Sequence, residues 1–414
     1  MQELVLLLEE DELEPMLDLL QMMYGFVKGH LEISMLLRVL KIADRYICTE
    51  AFITDLLCWL EDAGYAEEEA EEEAKEEGNP EIVSLIDNTC IMLLFGMGPR
   101  IASMPKFQDV AELFRSAVLR LYGNVPRMLM LMLGDAASGL LADFCALPFL
   151  AVLFWAGLDE LEVHSENCVV MLLTCWVRRR GPCCVPAEDL KALGDQVRVA
   201  RLGEAYRTFV LPSLEWFTGS SSSSSSRAGD LSVLAVFRNQ VGVKQSSAWW
   251  KGPKKWIAKN RKRATGVAGV AGAATPGGVD IEWTFTTDGT TDVPDLLRTA
   301  PVYCNGYILT ATLGLASPKK CVISFEICDA AMKTMGVELT DRFVTTVKLD
   351  NLTMMETDVY WNSNESVSPI MMGSATAYKV GRVRGTINNL KDVIDHMVDG
   401  KLIMTTKMGV DIDL

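Results

Sequence analysis

Residues 36–60 read LLRVLKIADRYICTEAFITDLLCWL, the pattern of two short amphipathic helices joined across a polar hinge at Thr49 and Glu50. In the first half Leu36, Leu40, Ala43 and Ile47 recur at steps of three and four. That spacing sets them on one helical stripe, while Arg38, Lys41, Asp44 and Arg45 fall largely outside it. Phe52, Leu56 and Trp59 repeat the pattern in the second half. Two helices with one apolar face each have to bury those faces, and the stretch reads as a protein-interaction module.

Working outward, the preceding LDLLQMMYGFVKGHLEISM supplies an apolar helix ending in Tyr24 and a turn at Gly25. The ordered series Tyr24, Gly25, Leu36, Leu37, Leu40, Ala43, Asp44, Tyr46, Trp59 and Leu60 resembles the distal half of a BTB (POZ) domain, over residues 1–62. That family opens with a strand and helix carrying its dimer contact, then a Phe-x-Ala-His-Arg motif, and neither precedes Met1 here. The usual BTB homodimer interface is therefore expected to be absent, and a homo-oligomer would need another contact. In the resemblance, contacts to a cullin scaffold map to Leu20, Met23, Tyr24 and Phe26, and to Glu3 just upstream.

The chain has 414 residues, 49% hydrophobic and 23% charged, enough for several cores, with a net charge of -16. An acidic surface repels phosphate, which argues against a general nucleic-acid binder. Part of the charge is local: residues 66–77, AEEEAEEEAKEE, form a glutamate block within an acidic insert at 63–80 that reads as a solvated helix face or a disordered insert. Eleven cysteines make an odd number without a secreted-scaffold pattern. Thiols such as Cys168 and Cys175, seven apart on one helix face, act as small hydrophobes. A reducing compartment, nucleus or cytoplasm, is expected, and the start Met1-Gln2-Glu3 lacks the basic opening of a signal peptide. The sequons at Asn351 and Asn364 are then chance matches.

Residues 140–158, LLADFCALPFLAVLFWAGL, are long enough to cross a bilayer by count. Asp143 and Pro148 interrupt them and basic anchors are missing on the C-terminal side, so a buried helical pair broken near Pro148 is expected, with no membrane partner. Next, LDELEVHSENCVVMLLTCWVRRR, residues 158–180, holds Leu161, Val163, Ser165, Glu166, Val169, Leu172 and Trp176. Ser165 is placed to cap a helix by accepting an orphan backbone N–H, Glu166 suits its positive end, and the apolar residues to Trp176 face inward. This block resembles the BACK domain, the helical extension that follows BTB in many substrate adaptors, over residues 81–217 and including the closing RVARLGEAYRTFVLPSLEWF.

The composition changes in residues 218–279. Ser220 to Ser226 form a serine run of tether composition, and GVAGVAGAATPGG at 266–278 reads as linker because it lacks the Gly-Lys-Ser/Thr ending of a phosphate loop. Between them Lys244, Lys251, Lys254, Lys255, Lys259, Arg261, Lys262 and Arg263 are interleaved with Trp249, Trp250 and Trp256. A nuclear-import patch at Lys254, Lys255, Lys259, Arg261, Lys262 and Arg263 is one reading, and a solvated basic linker whose aromatics pack back on a neighbouring domain is another. Stacking of nucleic-acid bases on the tryptophans ranks third.

After Val279 the period switches to two. Cys321, Ile323, Phe325 and Ile327 alternate with Val322, Ser324 and Glu326 in CVISFEIC, and Phe343, Thr345, Val347 and Leu349 form the corresponding set in RFVTTVKL. The segments IEWTFTT, YILTATLGL, TDVYWNS, TAYKVGRVR and KLIMTTKMGV read alike, which predicts an antiparallel sandwich. Tyr303, Asn305, Gly306, Tyr307, Ile308 and Leu309, with Ile387, Leu390, KDVIDHM and the strand from Leu402 to Val410, are similar to a MATH (TRAF-like) sandwich over residues 280–414. The fold class expected is thus α+β multidomain: partial BTB and BACK helices, then a C-terminal antiparallel β-sandwich.

Catalytic signals are sparse. His30, His164 and His396 lie far apart, and metal-ligand spacing and a Gly-x-Ser-x-Gly elbow are both missing. Cys183 and Cys184 follow Arg178 to Arg180 without an acid or histidine placed to assist. The chain is expected not to be an enzyme and to carry no cofactor or metal. The resemblances imply a substrate-specific adaptor of a cullin-RING E3 ubiquitin ligase, bridging the cullin to a client protein. The alternative is a non-ligase scaffold or transcription-associated factor that partners through the basic, tryptophan-containing linker.

Overall fold

A computed structural model describes residues 8–25, 32–76, 86–130, 139–181, 184–203, 206–218, 253–259 and 261–263, and the strands between 279 and 409 as backbone alone. In chain order the first α-helices are α1 (Leu13–Met23), α2 (Ile33–Arg45), α3 (Glu50–Glu76), α4 (Asn88–Phe95), α5 (Pro99–Ala102), α6 (Pro105–Leu113) and α7 (Arg115–Tyr122). There follow α8 (Val125–Met130), α9 (Gly139–Ala146), α10 (Phe149–Gly157), α11 (Glu166–Arg180), α12 (Ala187–Gln196), α13 (Leu211–Ser213) and α14 (Glu215–Thr218). By its contacts the chain divides into two units: Met1–Gly123 with Ala146–Trp155, and Asn124–Cys145 with Ala156–Leu414.

The first unit is built on α2, which buries Ile33, Leu36, Leu37, Val39, Leu40, Ile42 and Ala43. Ile47, expected on that stripe, lies beyond the helix end in the left-handed region at φ 54° and is exposed. The helix stops at Arg45, so the stripe stops with it. In α3 the buried positions are Ile53, Leu56, Leu57 and Leu60, whereas Phe52 and Trp59 sit at the half-buried margin. The buried face is thus rotated by one residue from the expected one; Thr49 starts the helix, with Phe52 N–H donating to its Oγ1 at 3.4 Å. The helix runs on through most of the glutamate block to Glu76.

Prolines start the short helices that follow. Pro99 and Pro105 stand in the first turns of α5 and α6, where an N–H is dispensable, and Asp87 caps α4 by accepting from Cys90 N at 2.9 Å. The C-terminal end of α2 is closed from a distance. Arg100 donates from Nε to Asp44 Oδ1 at 3.1 Å, from Nη1 to Cys48 O at 3.0 Å and from Nη2 to Ala43 O at 3.4 Å. Gly98 permits this approach, since a Cβ there would lie 2.6 Å from Asp44 Oδ2. Aromatic side chains complete this core: buried Trp155 donates from Nε1 to Tyr122 O at 2.9 Å, and half-buried Phe154 lies 5.3 Å from buried Phe95, centroid to centroid.

The second unit is organised around α11. Every residue from Glu166 through Val177 is buried, so the helix is enclosed on all sides, not on one face as expected. Ser165 occupies the cap position, but its hydroxyl lies 3.8 Å from Cys168 Sγ and accepts no backbone N–H; Cys168 N donates to the Ser165 carbonyl instead. Trp216 Nε1 donates to Thr174 Oγ1 at 3.0 Å, which ties α14 to α11. The apolar stretch at 140–158 is split into α9 and α10 with Leu147 and Pro148 between them. No single helix among the described residues is long and apolar enough to cross a membrane, although this broken pair meets that length and composition when joined.

The expected fold class requires correction. The part of the chain whose packing is described is helical, with one two-residue parallel pairing of β1 (Glu162–Val163) and β2 (Lys262–Arg263), and among the described residues there is no C-terminal β-sandwich. Beyond residue 278 the structure gives backbone ladders only. The antiparallel strands β3 (Val279–Thr286), β9 (Met355–Asn362), β10 (Ala377–Gly385) and β11 (Lys401–Gly409) pair in the order β3-β11-β10-β9. A separate ladder takes β4 (Leu296–Arg298), β6 (Tyr307–Ser317), β7 (Lys320–Ile327) and β8 (Val344–Asp350) in that order, with β5 (Val302–Cys304) on β6. Alternation marks a segment as extended, but it does not make two faces complementary, and it was that second step which the sandwich reading required. Ile387, Leu390 and KDVIDHM lie outside the described residues.

The close approach at Gly98 yields a stability test. Gly98→Ala should lower unfolding free energy by about 1 kcal/mol by pushing Asp44 off Arg100. Chemical denaturation of Gly98→Ala, Asp44→Ala and the double variant should show a double that loses less than the two singles together.

Candidate functional site

Two places in the described residues stand apart from ordinary core or surface, one in each unit. In the first unit α1 buries Pro15, Met16, Leu19 and Met22, and its other side is apolar as well. Leu13 is 56% exposed, Leu17 50%, Leu20 38%, Met23 56% and Tyr24 78%. Leu13, Leu17, Leu20 and Tyr24 follow one another at steps of four, three and four, the spacing of a seam that meets another helix. Acids border the stripe: Glu9, Asp11 and Glu14 are exposed and Asp18 is half-buried. Glu12 is turned inward to Arg45 at 2.6 Å, which anchors the start of α1 to α2. A backbone hydrogen bond from Glu9 and the Arg45 guanidinium hold its carboxyl below the usual range. Leu20, Met23 and Tyr24, marked from the sequence for a cullin contact, thus share one exposed helix surface, while Glu3 and Phe26 lie outside the described residues.

In the second unit the described parts of the basic segment, 253–259 and 261–263, lie against the helices. Arg261 and Glu166 form an ion pair at 2.9 Å with side chains 0% and 2% exposed. The Arg261 guanidinium also donates to the carbonyls of Leu158 and, at 2.7 Å, Ala156, while Glu166 Oε1 accepts from Arg198 N at 3.0 Å. The carbonyls at the end of α10 have no partner inside their own helix, and their partial negative charge suits a cation. Lys255 Nζ takes Gly157 O at 2.8 Å and Asp159 Oδ1 at 2.9 Å. Its hydrogen bond holds the Asp159 carboxyl below its ordinary value. Arg198, buried beside Arg261, donates to Asp159 and to the Lys259 carbonyl. Burial first, and then the Arg261 charge, push its guanidinium below the usual range.

Trp256 is fully buried, stacks on Phe217 with centroids 5.7 Å apart, and donates from Nε1 to Gly194 O at 3.0 Å. The segment ends by adding β2 to β1, with Lys262 Nζ on Glu162 Oε1 at 2.6 Å. Of the residues considered for nuclear import, Lys254, Lys259 and Lys262 are exposed and Lys255 is half-buried. Arg261 is enclosed, and Arg263 is described by its backbone alone. The sequence missed Glu166, Asp159 and Arg198 as partners of this stretch. The available signal was a tryptophan in a cationic run, which is at odds with full solvation.

Among the described residues no group of three or more His, Cys, Asp or Glu is placed to hold a metal ion. Among the described cysteines, Cys90, Cys145, Cys168 and Cys175 are buried. Burial pushes Cys145 up to about 11 and raises Cys175 further, while Cys184 is exposed. No protein-family model, curated protein or solved structure matches this chain.

Two tests address this geometry. Glu166→Gln should cost about 3–5 kcal/mol in denaturant titration, because it strands a buried guanidinium, and Glu166→Leu with Arg261→Met should recover most of that loss. Near neutral pH, mass-spectrometric mapping after iodoacetamide treatment should find Cys184 modified and Cys145 and Cys175 protected until the protein is denatured.

Proposed function

We propose that this chain works by recruitment: the outer face of α1 docks a partner helix, and the partner class is the cullin scaffold of a RING ubiquitin ligase, which makes the chain a substrate adaptor. The observation that carries the reading is the exposure of Leu13, Leu17, Leu20, Met23 and Tyr24 on one eleven-residue helix and its cap. Fully burying a leucine or methionine side chain contributes roughly 1.5–3 kcal/mol, so several of them left in water on one stripe favour a partner. The acids beside the stripe define its chemistry. They call for an apolar seam flanked by Lys or Arg, and they disfavour a second copy of α1, which would bring like charges together.

An adaptor of this kind performs no bond chemistry. Holding a client near a charged ubiquitin carrier raises the effective concentration of the client's lysines. The alternative, in which the basic tryptophan-containing stretch does the partnering, draws no support from a stretch whose Trp256 and Arg261 are spent inside the chain.

Titration of the full chain against purified cullin scaffolds, read by biolayer interferometry, tests the proposal. Leu17→Glu with Leu20→Glu should weaken binding at least about tenfold, equivalent to about 1.4 kcal/mol, and leave the circular dichroism of the chain unchanged. Added salt should weaken the parent complex through its acidic flank. Unchanged affinity in the double variant, or absence of binding to every cullin, rejects it.

A further inference from the structure

The segment at 253–263 sits on the second unit as a bound peptide would. Its partners come from parts of the chain 39 to 105 residues away: Glu166, Asp159, the carbonyls of Ala156, Gly157, Leu158 and Gly194, the Phe217 ring and the open edge of β1. Each anchor fills a different kind of receptor. Trp256 enters an aromatic pocket with a carbonyl at its end, Arg261 enters a buried acidic one, and residues 262 and 263 extend β1 in parallel, as peptide ligands add a strand to a sheet edge. On either side in the sequence stand the serine run at 220–226 and the Gly/Ala-rich stretch at 266–278, which have few side chains able to pack.

We propose that the helices of the second unit form a binding site for linear protein segments of the pattern Lys-Trp-x-x-x-x-Arg-Lys, and that residues 255–262 occupy it in cis. The ligand class is an extended basic peptide with one tryptophan and, five residues on, one arginine. Arginine is required because its planar fork reaches both Glu166 oxygens and two backbone carbonyls together, whereas a lysine offers one point charge. Tethering gives the resident segment an effective concentration on the order of millimolar, so a partner's segment competes only when it binds more tightly or when the resident is released. The site is independent of α1, and holds whether or not α1 docks a cullin.

The test keeps the whole chain and varies the peptide. Site-specific protease sequences inserted in the serine run and in the Gly/Ala stretch allow both tethers to be cut, and a fluorescein-labelled peptide with the sequence of residues 251–265 is then followed by anisotropy. The cut protein should keep its helical circular dichroism, take up the labelled peptide saturably and release its own segment. The uncut protein should bind at least about tenfold more weakly. Peptides carrying Trp256→Ala or Arg261→Ala should lose about tenfold or more, and Arg261→Lys should not rescue. Three results overturn the proposal: loss of helical structure on cutting, no exchange of the labelled peptide, or equal uptake of the substituted peptides.

Discussion

Burying the charges of Glu166 and Arg261 sets the tightest geometric constraint seen among the described residues of the second unit. An ion taken out of water loses several kcal/mol of hydration, and the pair recovers it only where both partners find nearly all their hydrogen bonds. Here they do. Glu166 accepts from Arg261 and from Arg198 N, and Arg261 also reaches the carbonyls of Ala156 and Leu158. Apolar contacts of similar volume can stabilise as much, but they tolerate a slip along the helix more readily than a pair whose hydrogen bonds are all directional. Its contribution is therefore to fix where α10 ends, where α11 begins and which residue of the basic segment lies between them.

The same chemistry explains why arginines take structural duty across the described residues. The described residues are cut into fourteen α-helices, most of them short, so they hold many helix ends, and each C-terminal end leaves carbonyls without intrahelical partners. Glycine after the last turn is one solution, and Gly181 at φ 84° follows α11 in this way. At two other ends a distant cation adds to the local backbone bonds. Arg100 closes the end of α2 in the first unit, and Arg261 and Lys255 close the end of α10 in the second. A guanidinium can satisfy a carboxylate and two carbonyls at once, so each of these arginines also joins two stretches of chain.

Legibility in the sequence followed the range of the interaction. The break at Pro148, the hinge at Thr49 and Glu50 and the start of α11 after Ser165 were readable because proline, capping residues and apolar periodicity act over a few residues. The buried face of α3 differs by one position from the one its spacing predicts: Phe52 and Trp59 lie half-buried at the margin while Ile53 and Leu57 occupy the centre. Glu166 was read as a helix-end charge, a local role, although its partner is 95 residues away. No periodicity encodes such a pairing. The sandwich failed for a related reason, as alternation is a property of one strand and a shared core is a property of two sheets.

These contacts also reshape how the charge of the chain meets its surroundings. The net charge of -16 is a sum over all residues, but Arg198 and Arg261 are buried among acceptors and contribute little to the outward field. The acids along α1 remain at the surface, so the exposed side of that helix is more negative than average composition implies. Fields of this sign steer cationic partners and repel phosphate. Under the two proposals, a cationic, apolar-seamed partner helix docking on α1 and a cationic tryptophan segment docking on the second unit would answer to one selection rule. Each surface joins an apolar anchor to a carboxylate, so a ligand that offers only charge or only hydrophobic area leaves half of the contact unmade.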